Sequence, residues 1–441
     1  MTVAVCRSIL AASVRSARRV PTGPVKRWND IMRLPAGLRA LNHRDFRLFI
    51  SGQLISLIGT WMQSVAQSWL VLELTNSPFK LGLIGTLQFG PMLGFSFLAG
   101  AIADRLPKRR VIIATQTALM LQAFTLALLA RTGHVQFWHV AVLAVCYGLA
   151  NTLDMPTRQS FIVEMVGKDD LASAIALNSA MFNGARMIGP AVAGLLVDRF
   201  GVALAFGLNG LSFVAVILAL AAMRTEGLPR EREGTTVRQD IAAGVRYAVG
   251  TPLVALILSL LLVVSLFVIN HNVLVPLLAR NVLHEGAHGF GLLMAALGIG
   301  AVVGALALAL LGRSRPGLPL LIAAAATASA LTLALAVIRH FPAAVVLLAL
   351  TGLSQIVFMA SCNTALQMVV PDRLRGRIMS LYAFVFVGVT PVGSFFVGSV
   401  AEWFGTPIAY AAGGGLGLLS VLALTLLWWR GWGRAASRPE V

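Results

Sequence analysis

Twelve predominantly apolar runs, each at least 21 residues long, dominate the chain. They fall at 46–73, 79–103, 111–131, 137–157, 175–197, 203–223, 252–278, 289–311, 318–338, 342–364, 377–398 and 407–429, and are numbered here as spans 1 to 12. A helix needs about 20 apolar residues to cross a bilayer. Lipid offers no partner for backbone N–H and C=O groups, so runs of this kind must bond internally as helices. The expected fold is an all-α membrane protein with 12 transmembrane helices. Composition agrees, with 58% of the 441 residues hydrophobic and 12% charged, about half the charge of a soluble domain. The same figures exclude intrinsic disorder. Cys6, Cys146 and Cys362 are far apart and odd in number, which excludes a disulfide scaffold. No Cys/His cluster suggests a metal, and no cofactor is expected.

The net charge of +18 does not point to nucleic acid, because the basic residues are dispersed between apolar runs. Excess Lys and Arg marks the cytoplasmic loops of membrane proteins. With the N-terminus inside, 29 of the 35 Lys and Arg residues fall on the cytoplasmic side and 5 on the other, with Arg186 inside span 5. The expected topology has both termini in the cytoplasm of a bacterial inner membrane. Residues 1–44 read as a basic tail. A transit-like segment and an over-long start before Met32 are the alternatives, and the sequence leaves open whether residues 1–31 belong to the mature protein. Within the linker, 237–250 has helical periodicity. Ile241, Val245 and Ala248 share one face, with Arg238 and Arg246 on the polar side, as in an amphipathic helix on a membrane surface.

The chain repeats at an offset of 204 residues. FIVEMVGKDDLASAIALNS from Phe161 lies over ALQMVVPDRLRGRIMSLYA from Ala365 without a gap, and LLVDRFG (195–201) lies over SVAEWFG (399–405). The same offset sets Gly94 on Gly298, Gly100 on Gly304, Gly189 on Gly393 and Gly194 on Gly398. The expected organisation is two pseudo-symmetric six-helix bundles, 45–224 and 252–430, joined by the linker 225–251 and followed by a tail, 431–441. Parallel repeats of this type place a solute site between the halves near the midplane, reached by rocking one half against the other.

The loop between spans 2 and 3 reads GAIADRLPKRR. Its Gly100, Asp104, Arg105, Lys108, Arg109 and Arg110 resemble the loop signature of the major facilitator superfamily, with Pro107 where that signature has a glycine. The resemblance implies a gating latch in which Asp104 caps span 11 near Gly376 and Arg105 pairs with Asp154. Carboxylates are favoured at helix N-termini, and Arg–carboxylate pairs are charge-assisted. In span 5, NGARMIGPAVAG resembles the antiporter motif of the same superfamily at Gly189, Pro190 and Gly194, with Ala185 and Ala193 replacing two glycines. Runs such as DMPTRQSFIVEMV and RGRIMSLY extend the resemblance, over some 380 residues, to the branch of enterobactin-exporter-type and drug-efflux permeases. It implies the major facilitator fold, a monomer, and a central cavity lined by spans 1, 4, 7 and 10.

Those spans carry Gln63 and Gln67, Asn151, Asn270 and His271, and Gln355. The repeat sets Gln67 on His271 and Asn151 on Gln355. These groups either bind a solute or join helices by hydrogen bonds. Trp61 and Trp69 add aromatic walls. A charge such as Arg186 is costly inside a span and marks function or a structural ion pair; Asp154 and Glu164 are its candidate partners. His271 and Asp154 are the candidates for proton coupling. No nucleotide-binding loop is present, which excludes direct ATP drive, and no nucleophile set suggests an enzyme. The expectation is a proton-coupled exporter of a small amphipathic molecule, a drug or siderophore-like metabolite, in contact with membrane lipids. Few charges face the expected cavity, which suits a neutral or lipophilic solute. An uptake symporter on the same fold and a non-transporting receptor or lipid scramblase are the alternatives.

Overall fold

The computed structural model describes residues 35–227, 237–310 and 317–432, and they are almost entirely helical. A 3-10 turn, Ala36–Asn42, leads into α1 (Arg44–Thr75). Then follow α2 (Pro78–Arg105), α3 (Lys108–Arg131), α4 (Phe137–Val166), α5 (Leu171–Phe200) and α6 (Val202–Ala222). After the linker come α7 (Val237–Gly250), α8 (Pro252–Phe267), α9 (His271–Leu277), α10 (Ala287–Leu310), α11 (Leu318–Ala334) and α12 (Phe341–Val369). The chain closes with α13 (Asp372–Gly388), α14 (Thr390–Phe404) and α15 (Thr406–Leu427). Among the described residues, ten helices are long and apolar enough to cross a membrane, against the twelve expected. The 17-residue α11 is shorter, and α2 is not one of the ten.

Local chemistry explains the breaks. Ser77 caps α2 by accepting from Lys80 N at 3.2 Å, with Pro78 in the first turn. Gly201 and Gly405, 204 residues apart, follow α5 and α14 with φ of 77° and 88°, and their N–H groups bond Val197 O and Ala401 O. Only glycine adopts that backbone without strain. Two spans expected as single helices are interrupted. Span 7 breaks at Val268–Asn270, between α8 and α9, and span 11 breaks at Val389, between α13 and α14.

Two further expectations change in detail. The segment expected as tail ends in the 3-10 turn, which is tied down: Ser173 Oγ donates to Gly37 O at 2.8 Å and accepts from Ala40 N at 3.1 Å. The amphipathic α7 packs on α13 and α8. Its Ala248 is buried, while Val245 is exposed; the side chains of Arg238 and Ile241 lie outside the described residues.

The apolar packing is uneven along the membrane normal. One cluster draws on both halves and gathers at the end of the bundle remote from α1's first turn, including Val71, Val197, Leu277, Phe290, Val397 and Tyr410. We call this the far side. Two other clusters belong to one half each, around Phe46, Phe161 and Leu220 in the first and around Leu260, Phe358 and Cys362 in the second.

Candidate functional site

The break in span 7 holds a polar triplet, Asn270-His271-Asn272, and sets its last backbone carbonyl against the first half. Asn272 O accepts from Ser68 Oγ of α1 at 3.2 Å. His271 Nε2 pairs with Gln355 Oε1 of α12 at 2.9 Å. The other imidazole nitrogen, Nδ1, has no partner, and neither does Gln355 Nε2. Asn270 Nδ2 donates to Leu266 O at 2.8 Å, while its Oδ1 is unpartnered. From the first half, Arg186 of α5 lies near enough for its charge to act on His271. The guanidinium sits over the Trp61 ring at 5.7 Å. Its Nε is buried without a partner. Trp61 in turn meets Phe182 edge-to-face at 5.7 Å.

The other expected cavity amides are engaged elsewhere. Gln63 donates to Gln122 Oε1 at 2.9 Å and accepts from Asn209 Nδ2 at 2.7 Å, which places it among α1, α3 and α6. Gln67 donates to Gln88 Oε1 of α2 at 3.1 Å. Asn151 lies beside Tyr147, one turn back on α4. The symmetric pairing that the repeat suggests, Gln67 with Asn151 beside His271 with Gln355, forms only in the second half.

The loop signature is wired differently from expectation. Asp154 does not pair with Arg105, which is exposed at the end of α2. Its Oδ2 accepts from Arg158 Nε, one turn along α4, and its Oδ1 accepts from Thr115 Oγ1 at 2.6 Å and Gln116 Nε2 at 3.1 Å. An i,i+4 neighbour reaches the carboxylate without crossing between helices, which is why Arg158 displaces Arg105. Lys108 is buried and pairs with Glu164. Arg186 therefore meets neither Asp154 nor Glu164, the partners expected for it. Lys108 N and Arg109 N bond Gly227 O and Glu226 O at 3.0 and 3.1 Å, and Arg109 Nη2 donates to Ala221 O at 2.6 Å. These bonds anchor the start of α3 to the segment after α6. Leu106 and Pro107 both have negative φ, so proline fits where the signature has glycine. Arg110 is exposed. Gly100 and Asp104 lie within α2, but the surroundings of the one and the side chain of the other are outside the description, and the cap expected on α13 with them.

The glycines of span 5 mark close crossings. A Cβ on Gly189 would lie 2.6 Å from Trp61 Cβ, and one on Gly194 would lie 2.9 Å from Gly291 Cα of α10. Pro190 is buried inside α5, its carbonyl facing Gly291. The repeat partner of Gly194, Gly398 on α14, likewise meets Gly82 Cα of α2 at 2.9 Å. At the far tip of that second crossing, Glu402 Oε2 accepts from Ser77 Oγ at 2.7 Å and Phe79 N at 2.9 Å, so a carboxylate of one half caps a helix of the other. Asp198, the residue 204 positions earlier, lies beside the start of α10: a Cβ on Gly286 would be 3.6 Å from its Oδ1.

The family of transmembrane secretion effectors matches residues 36–439. The chain belongs to that family. The chain is 29% identical over 392 residues to the enterobactin exporter EntS of Escherichia coli O1:K1 / APEC, and equally to EntS of Shigella boydii serotype 18. Each match covers 87% of this chain and 92% of the relative. Solved structures share its fold at low identity. A POT family transporter in complex with a thioalcohol-conjugated peptide matches with a TM-score of 0.70 and 9% identity, covering 90% of this chain and 97% of that one. The nucleoside transporter NupG gives 0.68 and 14%, covering 88% and 99%. A bacterial homolog of the human lysosomal transporter Spinster, inward-facing and unoccupied, gives 0.66 and 15%, covering 87% and 95%. The chain thus has the major facilitator fold and is a multi-pass membrane transporter.

Sequence reasoning passed over Arg158, Thr115 and Gln116 around Asp154, and Gln122 and Asn209 around Gln63. Polar residues on spans 3 and 6 were the available signal. Glu402 and Asp198 lie inside the repeat LLVDRFG/SVAEWFG, where an acid stands at the same place in both halves.

Proposed function

We propose that the chain exports a small amphipathic, siderophore-like molecule by alternating access, from the cytoplasm across a bacterial inner membrane, with both termini cytoplasmic and twelve crossings. The observation that carries this reading is the one-sided joint between the halves. The crossings at Gly194–Gly291 and Gly82–Gly398 lie towards the far side, whereas α4 and α12 share no packed interface. A joint closed at one end and unpacked at the other is one state of a rocking pair. Membership of a secretion-effector family and likeness to an enterobactin exporter support the outward direction and a transport rather than an enzymatic role.

In this reading Glu402 and Asp198 form a far-side latch. Glu402 bonds the start of α2 and Asp198 stands beside the start of α10, positions where backbone N–H groups and the helix dipole favour a negative charge. Outward opening breaks the Glu402 bonds, and binding of the solute offsets the loss. Proton flow supplies the drive. Of the two coupling candidates, His271 suits the role better, because it stands between the halves with one nitrogen unpartnered, whereas Asp154 is occupied by three donors within the first half. The test uses inverted membrane vesicles. Solute accumulation driven by an acidic lumen is the expected result; accumulation only with the opposite gradient would overturn the exporter reading.

A further inference from the structure

We propose that the mid-depth space between the halves binds an anionic group carried on, or next to, a planar aromatic ring, with Arg186 as its counter-charge. This rests on the exporter reading and names the chemistry of its solute. A guanidinium inside a transmembrane span is costly and is almost always paired. Among the described residues Arg186 makes no ion pair and no hydrogen bond; its one described polar contact is the face of Trp61. The two acids expected to neutralise it are committed, Asp154 to Arg158 and Glu164 to Lys108. Among the described residues, the neighbouring spans therefore supply no counter-ion.

The position of Arg186 is fixed by packing. Its carbonyl lies 2.8 Å from a Cβ built on Gly298 of α10, so the residue stands on the seam where the halves cross. The second half brings two unpartnered groups near it: His271 Nδ1, within reach of the Arg186 charge, and the amide Nε2 of Gln355, which is bonded to the same imidazole. Both side chains are at least nine-tenths buried. Groups of this kind without partners cost free energy unless something else bonds them. A carboxylate or an acidic ring hydroxyl matches the set. It accepts from the guanidinium fork, which suits planar anions, and from Gln355 Nε2, while a hydroxyl on the ligand donates to His271 Nδ1. Trp61 supplies an apolar ring face at the guanidinium, with Phe182 edge-on to it, and Trp61 already holds the cation by its π face. A cationic solute is disfavoured, since no carboxylate is described in the set. The sequence-level expectation of a neutral solute changes accordingly: the charge was visible, but its lack of a partner was not.

The test is equilibrium binding to the purified full-length protein in detergent, by calorimetry, with 2-naphthoate and its neutral match 2-naphthamide. The expected result is at least tenfold tighter binding of the acid. Arg186→Gln should cut affinity for the acid at least tenfold and leave the amide unchanged, and Arg186→Lys should restore part of the difference. Trp61→Leu should weaken both probes alike. A thermal unfolding transition in each variant confirms folding. Equal affinity for acid and amide, an acid preference that survives Arg186→Gln, or binding of neither probe would overturn the proposal. Because binding is read without a gradient, those outcomes leave the vesicle result standing, and a failed vesicle experiment leaves the binding result standing.

Discussion

Asp154 and Arg186 are both charges set deep among apolar helices, one span apart in sequence, and the protein houses them in opposite ways. Asp154 lies inside the first half with three side-chain donors on its two oxygens. Arg186 lies between the halves with an aromatic face and no acceptor. The same contrast holds for the amides. Gln63 bonds through both its donor and its acceptor within the first half, whereas Gln355 keeps one bond to His271 and leaves its Nε2 unpartnered. Burial alone therefore does not separate a functional polar group from a structural one in a transporter. What separates them is bonding together with position. Gln116 Oε1 and Gln122 Nε2 are also unpartnered, but they lie inside the first half, whereas the unpartnered Arg186 and His271 atoms stand where the two halves meet.

Opposite housing should give opposite signs on mutation. Asp154→Asn strands Arg158 beside a neutral amide, and the unfolding free energy should fall by on the order of 3 kcal/mol, read as a lower melting temperature in detergent. Arg186→Gln removes an uncompensated charge, so the melting temperature should rise, by the equivalent of roughly 2 kcal/mol, while the acid-binding advantage disappears. A destabilised Arg186→Gln protein would erase the distinction between the two sites. Gln63→Leu leaves Gln122 and Asn209 with unmet groups and should cost about 2 kcal/mol without changing naphthoate affinity; a large change in affinity would move Gln63 from the structural class to the binding class. Glu402→Gln has the smallest expected effect. It weakens charge-assisted bonds worth about 1.5 kcal/mol, so the population open on the far side should rise about tenfold, measured by spin-label distances between α2 and α14, with little change in stability.

The fold was legible from residues that act locally. Apolar run length dictates helices in lipid, and the ungapped repeat around Phe161 and Ala365 shows a doubled unit. The glycines at 194 and 398 announced close crossings because a missing side chain is itself a packing signal. The site was only partly legible. Gln63, Gln67, Asn151, Arg186, Asn270, His271 and Gln355 are all polar residues in apolar spans, and nothing in their spacing says which will be bonded. Arg105 and Arg158 were equally plausible partners for Asp154 by type; the helical turn between 154 and 158 gave the nearer one the advantage. The break in span 7 was likewise hidden, since FVINHNV is compatible with a continuous helix and the interruption follows from how its polar triplet meets α1 and α12.

By itself, then, the sequence determined what each segment must become: apolar length and small residues set helices, crossings and the doubled architecture, because those depend on near neighbours and on the solvent. The tertiary structure alone decided which polar groups are spent and which are left over. Hydrogen bonding is a competition among groups far apart in the chain, and only the packed arrangement shows that Asp154 and Glu164 are already committed and that Arg186 is not.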